Sequence, residues 1–504
     1  MLGRFALPSQ RQQVHARTLR GGVAAVGSQG IIFVVRVLST AVLARLLVPE
    51  DFGLVAMVLT VSAFAQVVRD VGLSSATMQA SSLTHDQVSN LFWLNTLVGL
   101  LAALFMIAAA PLTASFFNDS RLLGIGVWMS LSFVFGGLST QHAALLKRRM
   151  RFVIVARYEV LATVAGALCA VLFAVMWRER PWAYMALVSM ILVKSFTYMI
   201  FMWLGCRWVP SLPRRQVDTR PLLRLGAGIT GFNVVNYLAR NGDNILIGRL
   251  VGSVPLAFYS KAYQFLLFPV QQIRTPLIGV ATPALSSLRE DRDAYRQYLE
   301  RLLMFLGFVI MPLMAYAFVH ADIVVRLFFG DQWVAAIPFF RIFAFVGLVQ
   351  PFIGLGGLVL ITTGQGRRYF LYGCIQSAVF VTAFLIGILW GAVGVAVSYA
   401  VANYLSAWPL WCFATKRQDL DFRFFLRSLR YPLGMSMLTG CLAGILRFWG
   451  VWDLPLIWAF GLSGIVWVGI YLLLYMIFPS GRTFYRMGYD GVTLMLQKQE
   501  DTTS

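Results

Sequence analysis

Charge is scarce in this chain of 504 residues. Only 12% of it is Asp, Glu, Lys or Arg, where soluble domains carry about 25%. Apolar residues make up 59%, above the roughly 45–50% of soluble proteins, and the mean hydropathy is +0.73. A soluble enzyme, a nucleic-acid-binding domain and a disordered scaffold are excluded by that balance. Acidic residues are scarcest, 21 against 42 Lys and Arg, for a net charge of +21. In a membrane-embedded chain such an excess reports orientation, because cytoplasmic loops collect Lys and Arg.

Cysteine and histidine are equally thin. Cys169, Cys206, Cys374, Cys412 and Cys441 are scattered through apolar stretches without a CxxC, which argues against a disulfide framework or a cysteine metal site. The four histidines, His15, His85, His142 and His320, form no ligand spacing, so no metal is expected. There is no Walker A loop, and no loop is long enough to hold a separate nucleotide-sugar domain. Neither an enzyme nor a bound cofactor is expected. Residues 1–20 carry four arginines without an apolar core and a small-residue cleavage site, so the first helix is expected to act as the insertion signal.

Long apolar runs are what the chain has in quantity. A membrane helix needs about 20 such residues, and about fourteen segments between residues 21 and 478 qualify. The weakest, 224–248, is also the most polar. With the N-terminus inside, 29 Lys and Arg fall on the cytoplasmic side and seven outside (Arg45, Arg121, Arg178, Arg180, Arg249, Arg326 and Arg447). That asymmetry predicts a multi-pass protein with both termini in the cytoplasm. Removing 224–248 from the count would place fourteen of those cations outside, so it is retained.

The chain also resembles itself. Shifted by 204 residues, Leu19, Arg20, Gly22, Gly27, Arg36, Arg45 and Leu46 meet Leu223, Arg224, Gly226, Gly231, Arg240, Arg249 and Leu250. One further residue brings Gln66 and Arg69 onto Gln271 and Arg274. Phe116-Phe117-Asn118-Asp119 parallels Phe328-Phe329-Gly330-Asp331, and Arg148-Arg149 parallels Arg367-Arg368. A repeat of six helices, an even number, enters the bilayer twice in the same sense and forms two parallel lobes. The predicted fold is all-α, with two parallel six-helix lobes and two further C-terminal helices. The lobes span residues 1–210 and 211–415, the added helices 416–480, and a cytoplasmic tail 481–504.

Six cations fall within the predicted spans: Arg36, Lys194, Arg240, Lys261, Arg274 and Arg341. A charge at the bilayer centre costs about 2.5–3.5 kcal/mol on insertion scales, so each needs a partner, a snorkelling path or a polar cavity. Arg240 has Asp243 three residues on, suited to a local pair. Arg341 and Lys261 lie near helix ends, whereas Lys194 is near mid-span. The repeat singles out Arg36 with Arg240 and Arg69 with Arg274 as a ladder facing a cavity. With Lys194 and Lys261 these are the candidate substrate-binding cations, arginine suiting phosphate because its planar fork binds two oxygens. Asn233, Asn236, Gln271 and Gln272 are candidates for a polar lining, and Pro269, Pro276 and Pro283 for a repeatedly bent helix. Interhelical hydrogen bonding is the alternative use of those amides. Asp70, Glu159 and Asp243 are the candidates for coupling to a proton or sodium gradient.

The run Leu46-Leu47-Val48-Pro49-Glu50-Asp51-Phe52-Gly53 resembles the linker of Wzx-type polysaccharide flippases. Asp70-Val71-Gly72-Leu73-Ser74-Ser75-Ala76 and the stretch Gln87 to Asn95 share the likeness. Gly137-Leu138-Ser139-Thr140-Gln141-His142, running on to Arg151-Phe152, resembles the colanic-acid-exporter branch. The resemblance implies the multidrug/oligosaccharidyl-lipid/polysaccharide (MOP) exporter fold. As cargo it implies an undecaprenyl-pyrophosphate-linked glycan, moved from the cytoplasmic to the periplasmic leaflet of a bacterial inner membrane for exopolysaccharide or O-antigen synthesis. The expected partners are that lipid-linked glycan, the bilayer and polysaccharide polymerase or export proteins, with no nucleic acid. A drug or small-molecule cation antiporter of the same fold is the runner-up and would favour carboxylates in its cavity. A membrane polysaccharide polymerase or ligase is the third reading.

Overall fold

The computed structural model describes residues 11–69, 77–78, 83–177, 179–214, 241–415, 422–449 and 454–478. Among the described residues there is no strand. The chain runs α1 (Arg11–Leu46), α2 (Pro49–Arg69), α3 (His85–Phe117), α4 (Arg121–Arg148), α5 (Phe152–Trp177) and α6 (Met185–Cys206). After a helical stretch at 241–250 follow α7 (Ser253–Ser287), α8 (Arg292–Val319), the short α9 (Ala321–Phe328), α10 (Ile337–Gly347) and α11 (Gln350–Thr362). The last four are α12 (Gly366–Gly387), α13 (Gly391–Thr415), α14 (Phe422–Phe448) and α15 (Leu456–Ile477).

Nine helical stretches among the described residues are long and apolar enough to cross a membrane. One of them, Gly366–Trp411, is α12 and α13 joined by a tight turn in which Gly391 takes φ +71°. Three more helices, α2, α7 and α14, have 21, 35 and 27 residues and so the length to span at about 1.5 Å per residue. The segment 224–248 lies mostly outside the described residues. Large apolar side chains stay exposed along these helices, as at Leu97, Leu101 and Leu104 of α3 and Ile457, Trp458 and Ile465 of α15. Such surfaces belong against lipid.

The chain divides into two compact units. The first holds residues 1–261, 328–333 and 375–399. In it α3 packs along α4, α5 along α6, α1 against α5, and α2 against both α3 and α4. Backbones meet at a glycine pair: a Cβ on Gly137 would stand 2.8 Å from the Asn95 carbonyl of α3, and one on Gly99 would stand 2.7 Å from that of Phe133. A capping box starts α3, the Gln87 amide N–H donating to Thr84 Oγ1 (3.2 Å) and the Thr84 amide N–H to Gln87 Oε1 (3.0 Å). The strand-free segment after α6 folds back on that end. There Trp93 Nε1 donates to the Ser211 carbonyl (2.8 Å), and Asn90 and Arg214 exchange two hydrogen bonds.

The same unit fastens the ends of the two repeats' first helices reciprocally. Trp333, 1% exposed, packs edge-on to Phe52 and Phe258. Its Nε1 donates to the Ala44 carbonyl (3.0 Å) at the end of α1, and Gln332 Nε2 to that of Leu47 (3.0 Å). In the other direction, Arg249 lies over the Phe116 ring at 5.5 Å. It also donates to the Asn118 amide oxygen (2.6 Å), in the amide orientation that serves Ser115 as well. Phe116 and Asn118 of the first Phe-Phe-x-Asp run hold Arg249, whereas Gln332 and Trp333, which hold the end of α1, directly follow the second run. The third residues of the two runs, Asn118 at φ +57° and Gly330 at φ +90°, both turn in the left-handed region that Asn and Gly tolerate best.

The second unit comprises residues 262–327, 334–374 and 400–504. Its core is built on α8, which packs against α10 and α14, with α15 outside α14. Leu299, Leu303, Leu306 and Ile310 of α8 bury against Phe352, Leu355 and Val359 of α11 and Trp411 of α13. Asp322 of the short α9 accepts hydrogen bonds from Arg447 at the end of α14.

Candidate functional site

A cavity of about 410 Å³ opens in the first unit between α2, α4 and α6. From α2 come Ser62, Gln66 and Arg69, one face at three- and four-residue spacing. From α4 come Ser132, Gly136, Ser139, Thr140 and Lys147, and from α6 Ser195 and Tyr198. Its lining thus includes two cations, one amide and several hydroxyls, with no Asp or Glu. Such a lining attracts an anion and offers donors and acceptors to hydroxyl groups.

Arg69 holds a defined position in that lining. Its Cζ lies 5.9 Å from the centroid of the Phe133 ring, a cation–π contact. The guanidinium continues over the bare backbone of Gly136, where a Cβ would come within 3.1 Å of Cζ and closer still to Nη1.

The Gly137–His142 motif divides its residues between cavity and scaffold. Ser139 and Thr140 face the cavity. Gln141, fully buried, bonds to Thr77 and to Asn95 (3.2 Å). His142 is buried, stacks on Trp203 with centroids 4.3 Å apart, and its Nε2 meets the Trp208 carbonyl at 3.1 Å. Arg148, 3% exposed, donates to the Thr77 carbonyl (2.9 Å).

Beside the cavity the structure gathers three predicted residues from three helices. Arg36 of α1, Glu159 of α5 and Lys194 of α6 lie within electrostatic reach of one another. Tyr198, which lines the cavity, also feels Glu159. All four are half-buried. One carboxylate between two cations partly offsets the cost of holding them among apolar helices, and the cluster keeps a net positive formal charge.

The remaining predicted residues are dispersed. Lys261 places its ammonium 4.9 Å from the centre of the Phe52 ring. Asp243, 4% exposed, accepts a hydrogen bond from the Tyr259 hydroxyl (2.6 Å). In the second unit Arg274 lies flat on Gly354, where a Cβ would stand 2.7 Å from Nη1. Of the predicted amides, Gln271 is exposed and Gln272 half-buried. Arg240, Asn233, Asn236 and Asp70 lie outside the described residues.

At the far end of α4 from Lys147, Arg121 donates to both carboxylate oxygens of Asp119, from Nε (3.0 Å) and from Nη2 (2.7 Å), and also pairs with Glu50. The guanidinium holds the Asp119 carboxyl below its ordinary range, against the opposing effect of partial burial.

The fold is shared with solved transporter structures, including one of the MOP superfamily. The structure is similar to the lipid II flippase MurJ in an inward closed conformation, with a TM-score of 0.69 over 94% of this chain and 100% of that one, at 12% identity. It is also similar to an inward-facing multidrug resistance MATE transporter of the MOP superfamily, with a TM-score of 0.54 over 76% and 93% at 11% identity. Within that class the sequence is specific: residues 42–338 match the family described as "Polysaccharide biosynthesis protein", and the chain belongs to it. Among its relatives is the Escherichia coli (strain K12) lipopolysaccharide biosynthesis protein WzxC, 25% identical over 427 residues, which are 84% of this chain and 86% of that one. The Bacillus subtilis (strain 168) teichuronic acid biosynthesis protein TuaB is 26% identical, covering 75% and 78%. The Rhizobium meliloti (strain 1021) succinoglycan biosynthesis transport protein ExoT is 26% identical, covering 72% and 73%.

Proposed function

We propose that the protein flips an undecaprenyl-pyrophosphate-linked oligosaccharide from the cytoplasmic to the periplasmic leaflet of a bacterial inner membrane, feeding exopolysaccharide or O-antigen synthesis. The observation that carries this reading is the cationic, hydroxyl-rich cavity inside a bundle of membrane helices. A pyrophosphate entering it gives up hydration, and Arg69 and Lys147 replace that water with charge-assisted hydrogen bonds. Gln66, Ser139, Thr140 and Tyr198 are placed to bond the sugars nearest the phosphates. The polyprenyl chain stays in lipid, so only the head group needs a polar route.

Family membership, the polysaccharide biosynthesis roles in the relatives' names, with transport in that of ExoT, and the fold likeness to a lipid II flippase support the same reading. Transport proceeds by alternating access, with Arg36 and Lys194 beside the cavity adding to its positive charge, and with Lys261, Arg240 and Arg274 as further candidate cargo-binding cations. Both termini are cytoplasmic in this topology. A proton or sodium gradient resets the carrier, with Asp70, Glu159 and Asp243 as the candidate coupling carboxylates. A cation antiporter is disfavoured by a cavity holding two cations and no carboxylate.

The test is genetic. A strain lacking the gene accumulates lipid-linked repeat units on the cytoplasmic leaflet, and a plasmid copy restores their export. An unchanged leaflet distribution in the deletion strain would refute the assignment.

A further inference from the structure

The helix α14 carries a charge pattern that the cavity does not use. Its sequence holds four arginines and no Asp or Glu, and three of them, Arg423, Arg427 and Arg430, crowd its first turns. Phe425, Leu429, Pro432, Ser436 and Thr439 bury one face of the helix. The opposite face runs Arg423, Leu426, Arg427 and Arg430, at i, i+3, i+4 and i+7, and continues through Met437, Cys441 and Ile445, all of them exposed. The three arginines therefore stand at one end of the surface that α14 turns toward lipid.

The length of the helix sets their depth. At 1.5 Å per residue the 27 residues of α14 extend about 40 Å, roughly 10 Å more than a hydrocarbon core. Near the far end, Arg447 donates to the Asp322 carboxylate (2.8 Å) and to the Val319 carbonyl (3.0 Å), a charged contact that belongs at a membrane boundary. About 20 residues back from Arg447, the length of one crossing, stands Arg427. Arg423 is then one turn outside the core, and Arg430 is less than a turn inside it, close enough for its stem to carry the charge to the surface.

Arg423 and Arg427 have no hydrogen-bond, ion-pair or ring partner among the described residues. Arg430 is partly committed, its Nη2 donating to the Tyr431 hydroxyl (2.9 Å) and its Cζ lying 4.5 Å from the centre of that ring. Arg296 of α8 lies over the Phe424 ring at 5.1 Å and brings a fourth cation to the same end. The nearest acidic residues along the chain, Asp419 and Asp421, precede the helix and lie outside the described residues.

We propose that the start of α14 is a binding site for an anionic phospholipid of the phosphatidylglycerol class. Arg423 and Arg427, neighbours one turn apart, hold the head-group phosphate through charge-assisted hydrogen bonds, while Arg430 and Arg296 supply field without serving as ligands. The acyl chains lie along the exposed face, past Leu426 toward Met437 and Ile445. Basic clusters at the end of a membrane helix select anionic lipids in this way. A lone anion would meet only an open helix surface here, whereas a lipid also covers the apolar part of the face. The site is separate from the cavity and independent of the cargo.

Native mass spectrometry of the full chain, with phosphatidylglycerol and phosphatidylcholine supplied in equal amounts, tests the assignment. The parent retains phosphatidylglycerol in preference. Arg423→Gln/Arg427→Gln weakens that binding about tenfold, with an unchanged melting temperature in detergent because both side chains are exposed. Arg301→Gln/Arg367→Gln removes the same charge from exposed positions elsewhere in the second unit and leaves the binding as it was. An equal loss in that control, or none in the Arg423/Arg427 variant, would overturn the site. Displacement of the lipid by inorganic phosphate, or tighter retention of undecaprenyl pyrophosphate than of phosphatidylglycerol, would overturn its assignment to a phospholipid.

Discussion

Arg36, Lys194 and Glu159 show why single membrane charges are hard to interpret from sequence. Each is expensive alone, and the sequence supplies no rule for which cation meets which carboxylate across three helices. The structure places all three together. Lys147 is the converse case. It reads as one more cation of the cytoplasmic belt, yet it lines the cavity. Which way a helix end faces depends on the rotation of α4, and a helix apolar on most sides gives periodicity little to work with. The motif around Ser139 and Thr140 was legible as a family mark, but only the fold separates its cavity residues from its scaffold residues. Outside the membrane, Asp119 has a carboxyl pKa held down by Arg121. Its contribution to stability is therefore complete above the ordinary carboxylate pKa of about 3.9 and is lost as pH falls through the lower folded value. The pair is partly exposed, so the contribution is at most about 1 kcal/mol. Thermal melts between pH 7 and pH 3 should show Asp119→Asn less stable than the parent at neutral pH, with the gap closing in acid. A gap that widens in acid would contradict the assignment.

Among the elements, the parallel between Phe116-Phe117-Asn118-Asp119 and Phe328-Phe329-Gly330-Asp331 was legible as part of the repeat, and the structure makes each a turn with its third residue in the left-handed region. What no pattern gave was their crossing, in which the residues just after the second copy's turn hold the end of α1 and the first copy's turn holds Arg249. That contact joins residues nearly 290 apart, such as Ala44 and Trp333, beyond the reach of local spacing. Trp333 is the keystone of the α1 side, buried among Phe52, Phe258 and Phe329. Trp333→Ala is expected to cost about 3–5 kcal/mol, read as a lower melting temperature in detergent and earlier proteolysis between α1 and α2. Parent-like stability would show that the hydrogen bonds to the end of α1 are dispensable. The helix α7 carries Pro269, Pro276 and Pro283 within one continuous element. Prolines in membrane helices are tolerated where neighbours re-satisfy the freed carbonyls.

At the scale of the molecule, hydropathy was enough to read a multi-pass helical bundle, and the family resemblance of the linker and loop motifs was enough to read the MOP fold. The first follows from physics that acts along the chain, since the thickness of the bilayer sets helix length. The cavity was not legible in the same way, since it lies between α2, α4 and α6, far apart in sequence. Arg69 was reached only through its repeat partner, and Gly136 not at all, because a glycine in a membrane helix looks like packing until an arginine is found on it. The central claim is that a cationic cavity among membrane helices conducts an anionic glycolipid head group. Proteoliposomes loaded with a fluorescent undecaprenyl-pyrophosphate oligosaccharide test it directly, through accessibility of the label to a membrane-impermeant quencher. The parent should equilibrate the label between leaflets at least tenfold faster than an Arg69→Ala/Lys147→Ala double variant of equal stability and incorporation. Equal rates for the two would contradict it.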